Sequence, residues 1–164
     1  MPFDGKKIDT FTRAMQELGF ARTGVPYDQQ EVSFPDKATG CTAEQFSNIL
    51  SEHGYPVEQQ VIDERSVYGG SKDNSVYWSY EQSPSTEFSQ TQFSMNFAFT
   101  LMNASKKEIT YHAGKNYEMW LEDSSDTGYT INIRIGDKYI SLCGSPDDSA
   151  MKEQIRGIIM DACF

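Results

Sequence analysis

Basic residues are scarce in this chain, and long apolar runs are missing from it. Its 164 residues include 14 Lys plus Arg against 24 Asp plus Glu, which gives a formal net charge of −10 at pH 7. Because the basic residues form no cluster, the sequence argues against binding to nucleic-acid phosphates or anionic membranes. No apolar run approaches the roughly 20 residues that a transmembrane helix needs. This charge favours basic proteins or cations as partners.

Cysteine and histidine are also few, which limits metal and redox chemistry. Cys41, Cys143 and Cys163 include no C-x-x-C pair of the kind found in zinc sites and redox motifs. An intervening helix would carry Cys163 about 25 Å from Cys143, so that pair is not expected to form a disulfide. The only histidines, His53 and His112, lie in no zinc-binding pattern. We therefore expect free thiols, no metal and no cofactor.

Local signals in the first third of the chain predict two helices. The segment from Asp4 to Leu18 carries apolar residues spaced by three and four, and a glycine follows it. The second predicted helix begins at Thr42, where Gln45 completes a capping box, and it ends at Gly54. A connector rich in Gly and Pro separates the two helices.

The rest of the chain is rich in β-forming residues. The segment after Pro84 fits a helix, although the alternating apolar residues at 93–101 also fit a strand; we interpret it as a helix because a proline marks its start. Gly136-Asp137 has the composition of a two-residue hairpin turn. A last helix is predicted to open at Ser145-Pro146. The predicted strands are Val57 to Asp63, Ser75 to Gln82, Lys107 to His112, Tyr117 to Glu122, Tyr129 to Ile135 and Lys138 to Cys143.

This order of elements predicts an α+β domain. We expect an antiparallel sheet of about five to six strands with helices packed on one face, which is a two-layer sandwich. The whole chain, 1–164, is interpreted as a single domain. Residues 1–40 would form an N-terminal extension of a helix and a connector, and residues 41–164 the main body.

No segment carries a complete catalytic or ligand-binding motif. The acidic loop at 122–128 resembles a calcium loop, but Arg134 stands where such a loop needs a bidentate glutamate, so we interpret it as a hairpin turn. The run Gly69-Gly70-Ser71-Lys72 lacks the spacing of a phosphate-binding loop. We predict that the protein is not an enzyme. A hydrolase that uses a cluster of acids with His112 is a distant alternative.

Aromatic residues, in contrast, make up 13% of the chain. Successive residues of a strand point to opposite faces, so Tyr77 and Trp78 cannot share a face and some aromatics must lie off the core side. Such side chains can stack on sugars or form a protein-binding hot spot, although cross-strand pairs also stabilise a sheet by themselves. The predicted ligand-binding residues are Tyr77, Trp78, Tyr80, Tyr117 and Trp120.

Two stretches carry a family resemblance. The segment from Thr42 through Gly54-Tyr55, followed by two strands and a helix from about Pro84, resembles a diffuse group of small extracytoplasmic domains. These domains occur in lipoproteins and secreted proteins of Gram-positive anaerobes. The pattern Y-x-I-x-x-R-I-G-D-x-Y-I, from Tyr129 to Ile140, is similar as well. The resemblance covers roughly residues 41 to 164.

This resemblance implies an α+β sandwich, no catalytic site and an exported context. Lipid anchoring through a removed N-terminal segment is one option, and a cytoplasmic location is the alternative. The chain departs from the group in its additional N-terminal helix and its three internal cysteines.

Two function hypotheses follow from these features. The first is a surface-associated binding or accessory domain whose partner is an unknown protein or a cell-wall component. The alternative is an intracellular acidic inhibitor or immunity-type protein that caps a basic partner, since strong negative charge speeds encounter with such a partner. The sequence leaves the oligomeric state open.

Overall fold

The computed structural model describes residues 13–16, 34–55, 61–62, 64–103, 109–126, 128–145 and 149–164. Residues 13–16 form a helical turn, α1. The other helices are α2 (Ala43–Glu52), α3 (Thr86–Asn103) and α4 (Ser149–Cys163). The strands are β1 (Val61–Ile62), β2 (Ser66–Gly70), β3 (Val76–Gln82), β4 (Ile109–Ala113), β5 (Glu118–Ser124), β6 (Gly128–Ile135) and β7 (Lys138–Gly144). Outside α1, the predicted first helix lies beyond the described residues, as does most of the predicted strand at 57–63.

Helix α2 shows the start and the stop that the sequence predicts. The Gln45 N–H donates to Thr42 Oγ1 over 3.2 Å, and the Thr42 N–H donates to Gln45 Oε1 over 2.9 Å. The helix ends at Glu52, and Gly54, two residues later, has a φ of +88°, which favours glycine. Phe46 and Leu50 lie fully buried on its inner side. The capping box therefore fixes the position of a helix whose apolar residues enter the core.

All seven strands form one antiparallel sheet in the order β1-β2-β3-β7-β6-β5-β4. Two meanders, β1 to β3 and β4 to β7, join where β3 pairs with β7. Helix α3 connects the meanders and carries the chain from β3 to the far edge of the sheet. The prediction of an α+β domain with an antiparallel sheet is confirmed, with six strands of five to eight residues and the two-residue β1.

Helices α2 and α4 cover one side of this sheet, which we name the first face. Its core is apolar and includes Trp78 and Tyr80 from β3 and Ile133 from β6. Gly144, at the end of β7, lets α4 approach closely: a Cβ there would lie 2.6 Å from Ile155 Cδ1 and still closer to Met151 Cγ. The tight contact holds α4 directly on the strand.

Helix α3 lies on the opposite side, the second face, so the prediction that all helices pack on one face is wrong. Phe97 of α3 stacks on Tyr111 and on Trp120, with ring centroids 5.7 Å apart in both pairs. Phe93 meets Tyr139 edge to face. Large aromatic side chains on the second face need cover from water, and α3 supplies it. The interpretation of 93–101 as helix, rather than strand, is confirmed.

Cys41, Cys143 and Cys163 are free, and Cys41 and Cys163 are buried. No group of three or more His, Cys, Asp or Glu residues in the described part of the chain could hold a metal ion. Within the same residues, no helix combines the length and apolar character needed to cross a bilayer.

Candidate functional site

The five aromatic residues predicted to bind a ligand do not form one surface. Trp78, Tyr80 and Tyr117 are buried in the core of the first face, and Trp120 is buried on the second face beneath α3. Tyr77 is the one member of the five that is exposed, with 52% of its surface accessible. The other four are covered by the rest of the fold and therefore offer no accessible surface to a ligand.

The buried hydroxyls of this set have structural partners instead. Tyr80 donates to the carbonyl oxygen of Cys41 over 2.7 Å, and Tyr117 donates to that of Pro35 over 2.6 Å. Burial is the main cause that raises the pKa of Tyr117 to about 12. These hydroxyls tie residues 34–41 to the sheet, which is a role in stability and not in recognition.

Tyr77 nevertheless belongs to a surface that α3 leaves accessible. Strand register places its side chain on the second face, in the same row as Cys143 of β7. The next row holds Tyr68, Ser79 and Ser141, because Tyr68 pairs with Ser79 and Ser79 pairs with Ser141. We name this surface the open strip; its residues are Tyr68, Tyr77, Ser79, Glu81, Ser141 and Cys143.

Contacts with the sheet hold both tyrosines of the open strip. Tyr77 pairs with Gly70, where a Cβ would lie 3.0 Å from its ring. The ring therefore packs on bare backbone at that position. Tyr68, which is 39% exposed, donates its hydroxyl to Glu81 Oε2 over 3.2 Å. Both rings are thus oriented before any ligand arrives, which lowers the entropic cost of binding.

A cleft continues the open strip toward the start of α3. It has a volume of about 470 Å³ and contains two carboxylates, those of Glu64 and Glu81. Its lining consists of Glu64, Arg65, Ser66, Glu81, Gln82 and Pro84. Because Glu81 and its cross-strand neighbour Ser66 lie on the second face, the cleft and the strip share one edge. Together they offer aromatic surface, hydroxyl groups and negative charge to a ligand.

Two of the three cysteines, Cys41 and Cys163, lie in surroundings that do not activate a thiol. Cys41 lines a cleft of about 290 Å³ beside α2 and α4, but burial raises the pKa of its thiol to about 11. Burial also raises the pKa of Cys163. Catalytic cysteines need the opposite shift, since the thiolate is the nucleophile. The environment of these two thiols suits inert core residues.

The two histidines also make contacts that stabilise the fold. His112 Nε2 lies 2.9 Å from the Tyr117 hydroxyl, and burial lowers the pKa of its imidazole. His53 Nε2 lies 2.6 Å from Asp161 Oδ2 and so links α2 to α4. Neither of these two contacts joins a histidine to a serine or cysteine nucleophile. This geometry gives no support to the hydrolase alternative.

The chain matches no protein-family model, no curated protein and no solved structure. The geometry of the site is therefore the basis for inferring function.

Sequence alternation found Tyr77 but missed Tyr68, whose pairing with Ser79 depends on the register of the β2–β3 hairpin.

Proposed function

We propose that this chain is a non-enzymatic binding domain whose ligand lies along the open strip and extends into the adjoining cleft. The observation that carries the proposal is the pair of exposed tyrosines, Tyr68 and Tyr77, held by the sheet beside the hydroxyls of Ser79 and Ser141. Tyrosine rings give a large contact area at low entropic cost, and the hydroxyls add direction through hydrogen bonds. The one carboxylate of the strip, on Glu81, accepts a hydrogen bond from Tyr68.

The partner that we propose is a cell-wall component or a surface protein. A glycan strand presents flat apolar patches and many hydroxyl groups, which match two tyrosine rings beside serines. The resemblance to extracytoplasmic domains supports the same choice and a surface-associated, accessory role. The shallow strip, opposite a face that packs two helices, resembles a docking surface more than a catalytic pocket.

Substitution of Tyr77 tests this proposal. We expect Tyr77→Ala to weaken binding to purified cell-wall glycan by about tenfold or more, because truncation of a hot-spot aromatic costs about 2 kcal/mol or more and about 1.4 kcal/mol is a factor of ten in affinity. Tyr77→Phe should retain most of the affinity, since the ring supplies the contact. Binding is measured by cosedimentation with insoluble cell-wall material.

Met160→Ala serves as the matched control, because Met160 is a partly exposed apolar residue of α4 on the first face. It should bind like the unmodified protein. Thermal unfolding of each variant separates a binding defect from a folding defect. Equal binding by Tyr77→Ala and the unmodified protein would contradict the assignment of the open strip.

An acidic inhibitor of a basic protein is the second candidate function. The net charge of −10 and the carboxylates of Glu64 and Glu81 in the cleft favour it. A lysine or arginine of the partner would enter the cleft between these carboxylates. This candidate implies an intracellular location and differs from the first in its dependence on salt.

Salt dependence separates the two candidates. If the cleft captures a basic partner, association of a Lys- and Arg-rich test peptide should slow by about tenfold from low salt to about 0.5 M salt. The variant Glu64→Gln/Glu81→Gln should associate slowly at every salt concentration. Stopped-flow fluorescence measures the rate. A rate that does not change with salt would count against the inhibitor and leave the glycan proposal in place.

A further inference from the structure

Helix α3 is apolar on its outer side as well as on the side that covers the sheet. Phe93 and Phe97 are buried against the second face, yet Phe88, Met95 and Phe99 are 48%, 45% and 50% exposed. A soluble surface helix normally confines its apolar residues to one stripe. Packing against the sheet therefore does not account for the exposed surface on the outer side of α3.

The exposed residues form one continuous stripe along the helix. Met95 follows Phe88 by seven residues and Phe99 follows Met95 by four, and both intervals return to the same side of an α-helix. Met102 lies seven residues beyond Met95, and its partly buried side chain also packs against the second-face core. We name Phe88, Met95 and Phe99 the outer stripe.

The distribution of charge indicates which partner fits the outer stripe. The chain carries a net charge of −10, but residues 88–105 include no charged residue at all. A docking site for a basic protein would place acids around its apolar contacts, as complementarity requires. Two copies of an acidic chain, in contrast, can approach each other only where repulsion is small. The outer stripe meets that condition.

We propose that the outer stripe binds a second copy of this chain, with two α3 helices packed antiparallel about a two-fold axis at Met95. The spacing of apolar residues supports this symmetry, because Phe88 precedes Met95 by seven positions and Met102 follows it by seven. In such an isologous contact, Phe88 of one copy faces Met102 of the other. Each copy therefore supplies both residues of this contact, Phe88 at one end of the interface and Met102 at the other.

The size of the contact sets its strength. Each half-exposed side chain of the outer stripe offers roughly 100 Å² of apolar surface, so the stripes of two copies bury about 600 Å² between them. Flanking residues add to this area, but the total stays below the roughly 1,200 Å² of a standard interface. We therefore expect a weak, reversible dimer with a Kd on the order of 10–100 μM.

Analytical ultracentrifugation of the full chain tests the dimer. From about 1 μM to about 1 mM the mass should rise from one chain to two, and the variant Met95→Glu should raise the Kd by about 100-fold or more. A glutamate at the two-fold axis faces its own copy, which adds repulsion to lost apolar contact. Added salt should strengthen the unmodified dimer, because it screens repulsion between two acidic chains.

Two controls make the result specific. Met160→Glu, on a similarly exposed methionine of α4, should dimerise as the unmodified chain does. An equimolar mixture of Met95→Glu and Met95→Lys should form a heterodimer, although each variant alone stays monomeric. The proposal is overturned if the unmodified chain is monomeric up to about 1 mM, if Met95→Glu dimerises normally, or if the mixture stays monomeric. None of these outcomes depends on the open strip.

Discussion

Replacement of Gly144 with valine is expected to destabilise the protein by about 3 kcal/mol, because it would separate α4 from the sheet. Even a single Cβ at this position would lie 2.6 Å from Ile155 Cδ1, with Met151 Cγ closer still. Both neighbours are buried in the first-face core and cannot turn into solvent. Valine adds two further methyl groups to this crowded site. Urea unfolding, followed by circular dichroism, measures the free energy of unfolding.

Gly157, in the middle of α4, provides the matched control. A Cβ there would meet only His53 Cε1 at 3.6 Å, which is an ordinary contact. Gly157→Ala should therefore stabilise the protein by about 0.5–1 kcal/mol, since alanine is the better helix former. Opposite signs for two glycine substitutions would locate the close approach at Gly144. A fully stable Gly144→Val protein would show that α4 does not pack on β7 as described.

Local signals in the sequence predicted most of the described helices and strands, although β2 (Ser66–Gly70) is not among the predicted strands. Thr42 and Gln45 form the capping box that their spacing indicates, and Gly54 follows the end of the helix with a positive φ. Gly136 turns the β6–β7 hairpin with a φ of +60°. These features depend on residues fewer than five positions apart, so one sequence contains all the information that they require.

The position of α3 could not be predicted in the same way. Its apolar residues occupy both sides of the helix, so the pattern does not identify the side that meets the sheet. Tyr111 and Trp120, the partners of Phe97, belong to strands that follow α3 in the chain. Trp120 would be exposed if α3 did not lie on the second face. Because the strand pattern does not show this cover, Trp120 was included among the predicted binding residues. The choice of face is a long-range property.

The candidate site shows the same division between local and long-range information. Alternation along β3 correctly separates Tyr77 from Trp78 and Tyr80. Which of the two sets remains accessible depends on helices that arrive from elsewhere in the chain. Tyr68 joins Tyr77 only through the pairing of β2 with β3. A binding surface assembled from neighbouring strands is therefore visible only in the folded sheet.

Removal of one partner from the ion pair of Glu118 and Arg134 should cost about 3–5 kcal/mol, because a buried charge would be left without its counterion. Arg134 Nε donates to Glu118 Oε1 over 2.9 Å, and the side chains are only 12% and 8% exposed, respectively. Tyr111 donates to the other oxygen of Glu118 over 2.8 Å. Arg134 also donates to the carbonyl oxygen of Gly136 and thereby fixes the β6–β7 turn. We expect Arg134→Met to lose this amount of stability in urea unfolding.

A double substitution distinguishes the cost of an unpaired charge from the value of the pair. Glu118→Met/Arg134→Met should recover to within about 1–2 kcal/mol of the unmodified protein, since both charges are then absent. Lys152→Met is the control at an exposed pair: Lys152 Nζ lies 2.7 Å from Asp123 Oδ2, with both side chains about 40% exposed or more. That substitution should cost less than about 1 kcal/mol. An equally small loss for Arg134→Met would show that the ion pair on the second face is open to water. It would also contradict the dry packing beneath α3 that excludes Trp120 from the binding surface.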